Sequence, residues 1–223
     1  MLPFFKGYKK FAIVFGILSL IIISIIYKTL NVEKRLPVYQ PADFEPKLVD
    51  TTIQHVKKYH TVANFSLVNQ NGDTITEKNY NDKIYIADFF FTTCQTICPV
   101  MTKNMAYIQG KIIDDDEVLL LSHSVTPEID SVEQLKRYAI SKGVIDSKWN
   151  LVTGNRKQIY DLARKSYLVV EDDTSQDYGM IHTENFALID KEKRIRGVYS
   201  GYRLSAIDSL LEDLKTLKKE YQP

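Results

Sequence analysis

Cysteine is nearly absent from this chain. Cys94 and Cys98 are its only two, so any thiol chemistry rests on that one pair. Excess charge is absent as well: 29 Lys and Arg stand against 28 Asp and Glu, for a net charge of +1. A balance so near zero implies no basic face for nucleic acid. No low-complexity run or internal repeat is present. Arginine does not occur in the first 30 residues, which argues against a mitochondrial transit peptide, and no small-x-small site follows Tyr27, which argues against a cleaved signal peptide.

What is present begins with an apolar run. Phe11 to Tyr27 is uncharged and broken only by Gly16, Ser19 and Ser24. As a helix it spans roughly 25 Å, the short end of a bilayer crossing. Leu30 would lengthen it, with Lys28 snorkelling. An uncleaved single-pass anchor over residues 1–30 is therefore expected. Lysines on both sides (Lys6, Lys9 and Lys10 against Lys28, Lys34 and Arg35) barely decide orientation. A short tail before a large domain favours the domain outside, so a bacterial inner-membrane protein facing the periplasm is expected.

Pro37, Pro41 and Pro46 mark residues 31–60 as a stiff connector. The remainder, residues 61–223, reads as one domain. Asn71-Gly72 between Phe65–Leu67 and Thr74–Thr76 signals a hairpin. Ile84 to Phe91 is a near-continuous apolar run, as for a strand buried on both faces. Met101, Met105, Ile108 and Ile112 then recur at helical spacing from about Cys98, with Pro99 in the first turn. A strand at Glu117–Ser122 follows, and Asp130 with Glu133 suggests a capping box for the next helix. Asn150–Thr153 is a strand; Ile159, Leu162 and Ala163 line a helix. Val169–Met180 is acidic and turn-like. A hairpin of Asn185–Asp190 and Ile195–Tyr199 precedes a helix built on Leu204, Ile207, Leu211, Leu214 and Leu217. This order predicts an α/β fold with a mixed central sheet flanked by helices, thioredoxin-like, with an N-terminal hairpin extension and an insert.

The cysteine pair stands where a strand ends and a helix begins. A disulfide closing so short a loop restrains little of the unfolded chain, so a purely structural staple gains little. Helix-start N–H groups and the helix dipole favour a thiolate, which points to function. Residues four apart on a helical turn are also near enough to be joined.

The stretch Phe-Phe-Phe-Thr-Thr-Cys94-x-x-x-Cys98-Pro99-x-Met101 resembles the copper-binding motif of the Sco/SenC family of membrane-anchored, thioredoxin-fold proteins. The resemblance continues through Ser124-Val125-Thr126-Pro127 with Asp130, through Leu151-Val152-Thr153-Gly154, and into Ile181-His182 before Phe186–Asp190. It covers about residues 60–215. Gln95 stands where the family usually has proline, which bears on loop stiffness between the ligands. Thr126 stands where it usually has aspartate. The resemblance implies a copper site of Cys94, Cys98 and His182. It also implies copper delivery to the oxidase subunit that carries a CuA-type site, or reduction of that subunit's cysteines. A further copper chaperone or a thioredoxin-like reductase would be a second partner.

Two thiolates and an imidazole suit Cu(I), and the nitrogen donor lets the site hold Cu(II). Zinc accepts the same donors, so the metal choice rests on the resemblance. Among the other histidines, His55 and His60 read as solvated connector residues, and His123, ending a strand, is a candidate to approach the site. Asp88 stands six residues before Cys94, an offset at which thioredoxins carry a buried aspartate. Burial would make it a proton acceptor in thiol chemistry.

Two alternatives fit less well. A peroxiredoxin would need threonine at position 91 or 95, where this chain has Phe91 and Gln95. A thioredoxin-type reductase uses Cys-x-x-Cys and a cis-proline before a late strand. This chain has no proline between Pro127 and Pro223, and His182 falls in that segment. A metallochaperone is thus favoured over a thiol–disulfide oxidoreductase or redox sensor, although one pair of sulfurs can serve both roles.

Overall fold

The structure is a computed structural model that describes residues 8–30, 35–169 and 183–222. The chain divides into two units, one up to Arg35 and one from Leu36 on.

The first unit holds α1 (Tyr8–Leu30). Its apolar side chains from Phe11 (67% exposed) to Tyr27 (69% exposed) are uncovered. Among the described residues, no helix is long and apolar enough to cross a membrane.

The second unit is a seven-stranded sheet between two apolar layers. Its strands are β1 (Ser66–Asn69), β2 (Thr74–Thr76), β3 (Ile84–Phe90), β4 (Val118–Ser124), β5 (Trp149–Thr153), β6 (Asn185–Ile189) and β7 (Ile195–Ser200), in the order β2-β1-β5-β4-β3-β6-β7. The β3–β4 and β4–β5 pairs are parallel and the others antiparallel. This is the mixed sheet that the strand–helix order predicts. Every residue of β3 is buried, as its unbroken apolar run requires. Its side chains alternate between the layers. Ile84, Ile86 and Phe90 meet Met101, Met105 and Ile108 of α2 (Cys98–Lys111), Leu135 of α3 (Val132–Lys142), and Ile207 and Leu210 of α5 (Leu204–Glu220). Tyr85, Ala87 and Phe89 face an aromatic layer with Phe65, Tyr80, Tyr160 and Tyr167.

Three expectations change. The connector expected over residues 31–60 belongs, from Leu36, to the folded unit. Leu36 and Val49 are buried, and the carbonyls of Leu36 and Pro37 accept from the buried Arg196 guanidinium at 2.7 and 3.0 Å. The sequence showed the prolines but not that Arg196 of β7 would hold the start of this segment at Leu36 and Pro37. The helix expected around Ile159, Leu162 and Ala163 is α4 (Arg156–Asp161) followed by a wider π turn, Leu162–Tyr167. The cap of α3 is Ser131, whose Oγ accepts from the Gln134 N–H at 3.3 Å. Asp130 is fully buried instead. The acidic insert expected over Val169–Met180 lies almost wholly outside the described residues.

Candidate metal and dithiol site

The site forms where parallel β3 runs out. After Phe90 the chain loops to Cys98, the first residue of α2, with Pro99 in the opening turn. Ile97 at the N-cap supplies no side-chain cap, Pro99 has no N–H, and the Val100 and Met101 N–H groups both donate to the Ile97 carbonyl. The Cys98 N–H is taken by sulfur: it donates to Cys94 Sγ at 3.4 Å. Thr96 Oγ1 lies 3.7 Å from the same sulfur, and the Cys94 N–H donates to the Phe91 carbonyl at 3.3 Å. Both cysteines are free thiols, Cys94 half-buried and Cys98 buried.

Their environments separate their acidities. Burial opposes ionisation of Cys94, but hydrogen bonds from the thiol and N–H of Cys98, and from Thr96, outweigh it and bring Cys94 down to about 7. Cys98 is pushed up to about 12, first by burial and then by its bond to Cys94. The arrangement holds one accessible sulfur as a thiolate near neutral pH and keeps its partner protonated beneath it.

Asp88 lies on β3 between Ile86 and Phe90, facing the layer that holds Cys98. It is 2% exposed, and burial raises its carboxyl to about 7 against one hydrogen bond from Ser122. Ser122 Oγ donates to Asp88 Oδ1, and Trp149 Nε1 donates to Ser122 Oγ at 2.8 Å. The sequence singled out Asp88 but not Ser122 or Trp149. Only the parallel register, which sets Asp88 opposite Ser122, brings them together.

His123 does not approach the thiols. Leu121 on β4 and Val125 just beyond it, two residues to either side, belong to the aromatic layer on the other face of the sheet. There its ring stacks on Phe89 at 4.7 Å and meets Tyr167 at 5.2 Å. Its Nδ1 lies 3.2 Å from the Asp88 carbonyl, and burial lowers it to about 4, leaving it neutral. Strand alternation turned it away from the site. His60 is also structural, with Nε2 at 2.9 Å from the Ser166 carbonyl, whereas His55 is exposed. His182 lies outside the described residues. Asn185 opens β6, whose Ala187 pairs with Ala87 of β3, the strand from which the cysteine loop departs. Among the described residues, no cluster of three His, Cys, Asp or Glu side chains could hold a metal ion. The described donors are the two sulfurs. Soft, unpaired thiols at a helix start fit a Cu(I) ion, and a nitrogen donor would complete such a set.

A dithiol at the strand–helix junction of a mixed sheet, with a buried carboxyl beneath it, defines a thioredoxin-like thiol or metal-thiolate protein. The SCO1/SenC family model matches residues 53–219, and the chain belongs to that family. It is 30% identical over 159 residues to the SCO1 protein homolog of Bacillus subtilis, covering 70% of this chain and 82% of that one. The solved structure of BsSco, a member of the Sco family of cytochrome c oxidase assembly proteins in which a disulfide switch was identified, matches with a TM-score of 0.61. It is 30% identical, over 71% of this chain and 93% of that one. Arabidopsis thaliana ScoI, solved with copper bound, matches with a TM-score of 0.55 and 27% identity, over 70% of this chain and 98% of that one.

Proposed function

We propose that this protein binds copper through Cys94, Cys98 and His182 and assists copper insertion into a cytochrome c oxidase at a CuA-type site. The observation that carries the reading is the free thiol pair, with the Cys98 N–H directed at Cys94 Sγ. Copper is cargo here. The accessible Cys94 sulfur offers the first soft donor, and buried Cys98 gives up its proton only as the ion is taken. Asp88, a buried carboxyl with its acidity near neutrality, is placed to accept that proton. Copper bound to the Arabidopsis relative, and the oxidase-assembly role stated for BsSco, support the cargo and the target.

Anchoring belongs to the same proposal. Although α1 falls short of the length and hydropathy of a spanning helix, its run from Phe11 to Tyr27 is uncharged and, apart from Gly16, Ser19 and Ser24, apolar. We place it in a bacterial inner membrane with the thiol domain on the periplasmic side, where an oxidase copper subunit is met.

A second reading has its own observation: the unequal thiols suit disulfide exchange. The Cys94 thiolate would attack a partner's disulfide, forming a mixed disulfide and releasing one partner thiol. The Cys98 thiol, its proton passing to Asp88, would then attack Cys94 Sγ and free the second partner sulfur. The partner is reduced by two electrons and the Cys94–Cys98 pair is oxidised to a disulfide. The test is deletion of the protein from its cell, with oxidase activity measured with and without added copper. Delivery predicts rescue by copper. Rescue by an external thiol but not by copper would replace delivery with reduction.

A further inference from the structure

Asp130 is buried without surface exposure, and Ser131 already caps α3. A carboxylate removed from water costs several kcal/mol unless donors surround it, so its partners are informative. Oδ1 accepts the Thr92 hydroxyl at 2.5 Å. Oδ2 accepts the hydroxyls of Ser124 at 2.5 Å and Thr126 at 3.1 Å, and the Thr92 N–H at 3.2 Å. Gln134 Nε2, from α3, also donates to Thr92 Oγ1 at 3.0 Å.

Two of the four donors thus belong to Thr92, two residues before Cys94. The other two come from the end of β4 and the loop after it. Cys98 is fixed by α2, whereas Cys94, packed at the margin of the core, makes only long hydrogen bonds, to the Phe91 carbonyl, the Cys98 N–H and Thr96. The position of Cys94 therefore depends on what holds Thr92. We infer that Asp130 is a positioning residue for the dithiol: through Thr92 it ties the cysteine loop to β4 and α3, and so sets Cys94 Sγ against Cys98. The inference rests on the proposed role of the thiol pair and names a residue outside it.

The test uses the full chain, reduced, with Thr92→Val, Thr92→Ser and Asp130→Ala. Cu(I) affinity is read by competition with a chromophoric Cu(I) chelator. The Cys94–Cys98 disulfide equilibrium is read against dithiothreitol, and melting temperature is followed in parallel. Thr92→Val and Asp130→Ala should weaken Cu(I) binding by about 10–100-fold, as loss of an outer-shell partner does. The disulfide equilibrium should move against closure by about tenfold, as the effective concentration of one sulfur at the other falls. Thr92→Ser keeps the hydroxyl and should match wild type in both. Folded Thr92→Val with wild-type affinity and disulfide equilibrium would overturn the inference, and that variant decides it if Asp130→Ala does not fold. Wild type that takes up no Cu(I) would refute the copper reading alone, with the disulfide equilibrium still deciding the role of Asp130.

Discussion

The backbone N–H of Cys98 points at the sulfur of Cys94 from 3.4 Å. One contact thus joins the first N–H of α2 to the more exposed thiol, and the two cysteines differ in reactivity because of it and of burial. Alkylation should follow. With reduced protein and iodoacetamide, modification of Cys94 should rise through a midpoint near pH 7. Cys98 should stay unmodified below pH 9 in the folded chain. Peptide mass spectrometry assigns the site, and equal rates at the two cysteines would contradict the assignment.

Asp88 gives a prediction of opposite sign to the usual acid denaturation. Its folded carboxyl holds a proton to about pH 7, while the unfolded chain releases it near 3.8. Across that window the folded state binds more protons, so Asp88 destabilises the apo protein increasingly as pH rises, with no penalty below about pH 4. The full penalty is on the order of 4 kcal/mol. Asp88→Asn retains an acceptor for Ser122 and should be more stable than wild type to urea at pH 8, with the gain shrinking at pH 5. The same variant should slow disulfide exchange at neutral pH. A variant with no pH-dependent gain and an unchanged exchange profile would remove Asp88 from the chemistry.

Ser122→Ala should act through Asp88. It removes the one hydrogen bond that stabilises the ionised carboxyl and leaves Trp149 Nε1 without its acceptor. A cost of about 1–3 kcal/mol is expected for the stranded donor. The midpoint of Asp88 should rise further, as followed by the carboxyl infrared band. An unshifted band would mean that Ser122 does not set the acidity of Asp88.

His123 is the control. Its ring is on the other face of the sheet from the thiols, stacked on Phe89. His123→Phe should therefore leave copper uptake and thiol alkylation unchanged, whatever it does to stability. Loss of copper binding in that variant, at unchanged melting temperature, would bring His123 back into the site.

The sequence carried the parts of this site that are local in the chain. The strand into Phe90 and the helix from Cys98 were legible because burial on both faces and helical spacing leave periodic marks, and Asp88 stood out by its offset of six from Cys94, as in thioredoxins. The parts made by pairing were not legible. Ser122 and Trp149 reach Asp88 only through the β3–β4–β5 register. His123 looked close because strand ends gather at one edge, but alternation along β4 sends it to the far face. Asp130 fitted the pattern of a cap, yet hydroxyls from three places in the chain converge on it and Ser131 takes the cap. Leu36 and Pro37 looked like linker because the guanidinium of Arg196, some 160 residues away, left no mark near them.

The central claim is a copper site of two sulfurs and one nitrogen. Copper-edge X-ray absorption on the reduced full chain loaded with one equivalent of Cu(I), beside His182→Ala, tests it most directly. The prediction is two sulfur ligands and one imidazole nitrogen in wild type, with loss of the nitrogen and weaker binding in the variant. A spectrum without sulfur ligation, or wild-type affinity in His182→Ala, would contradict it.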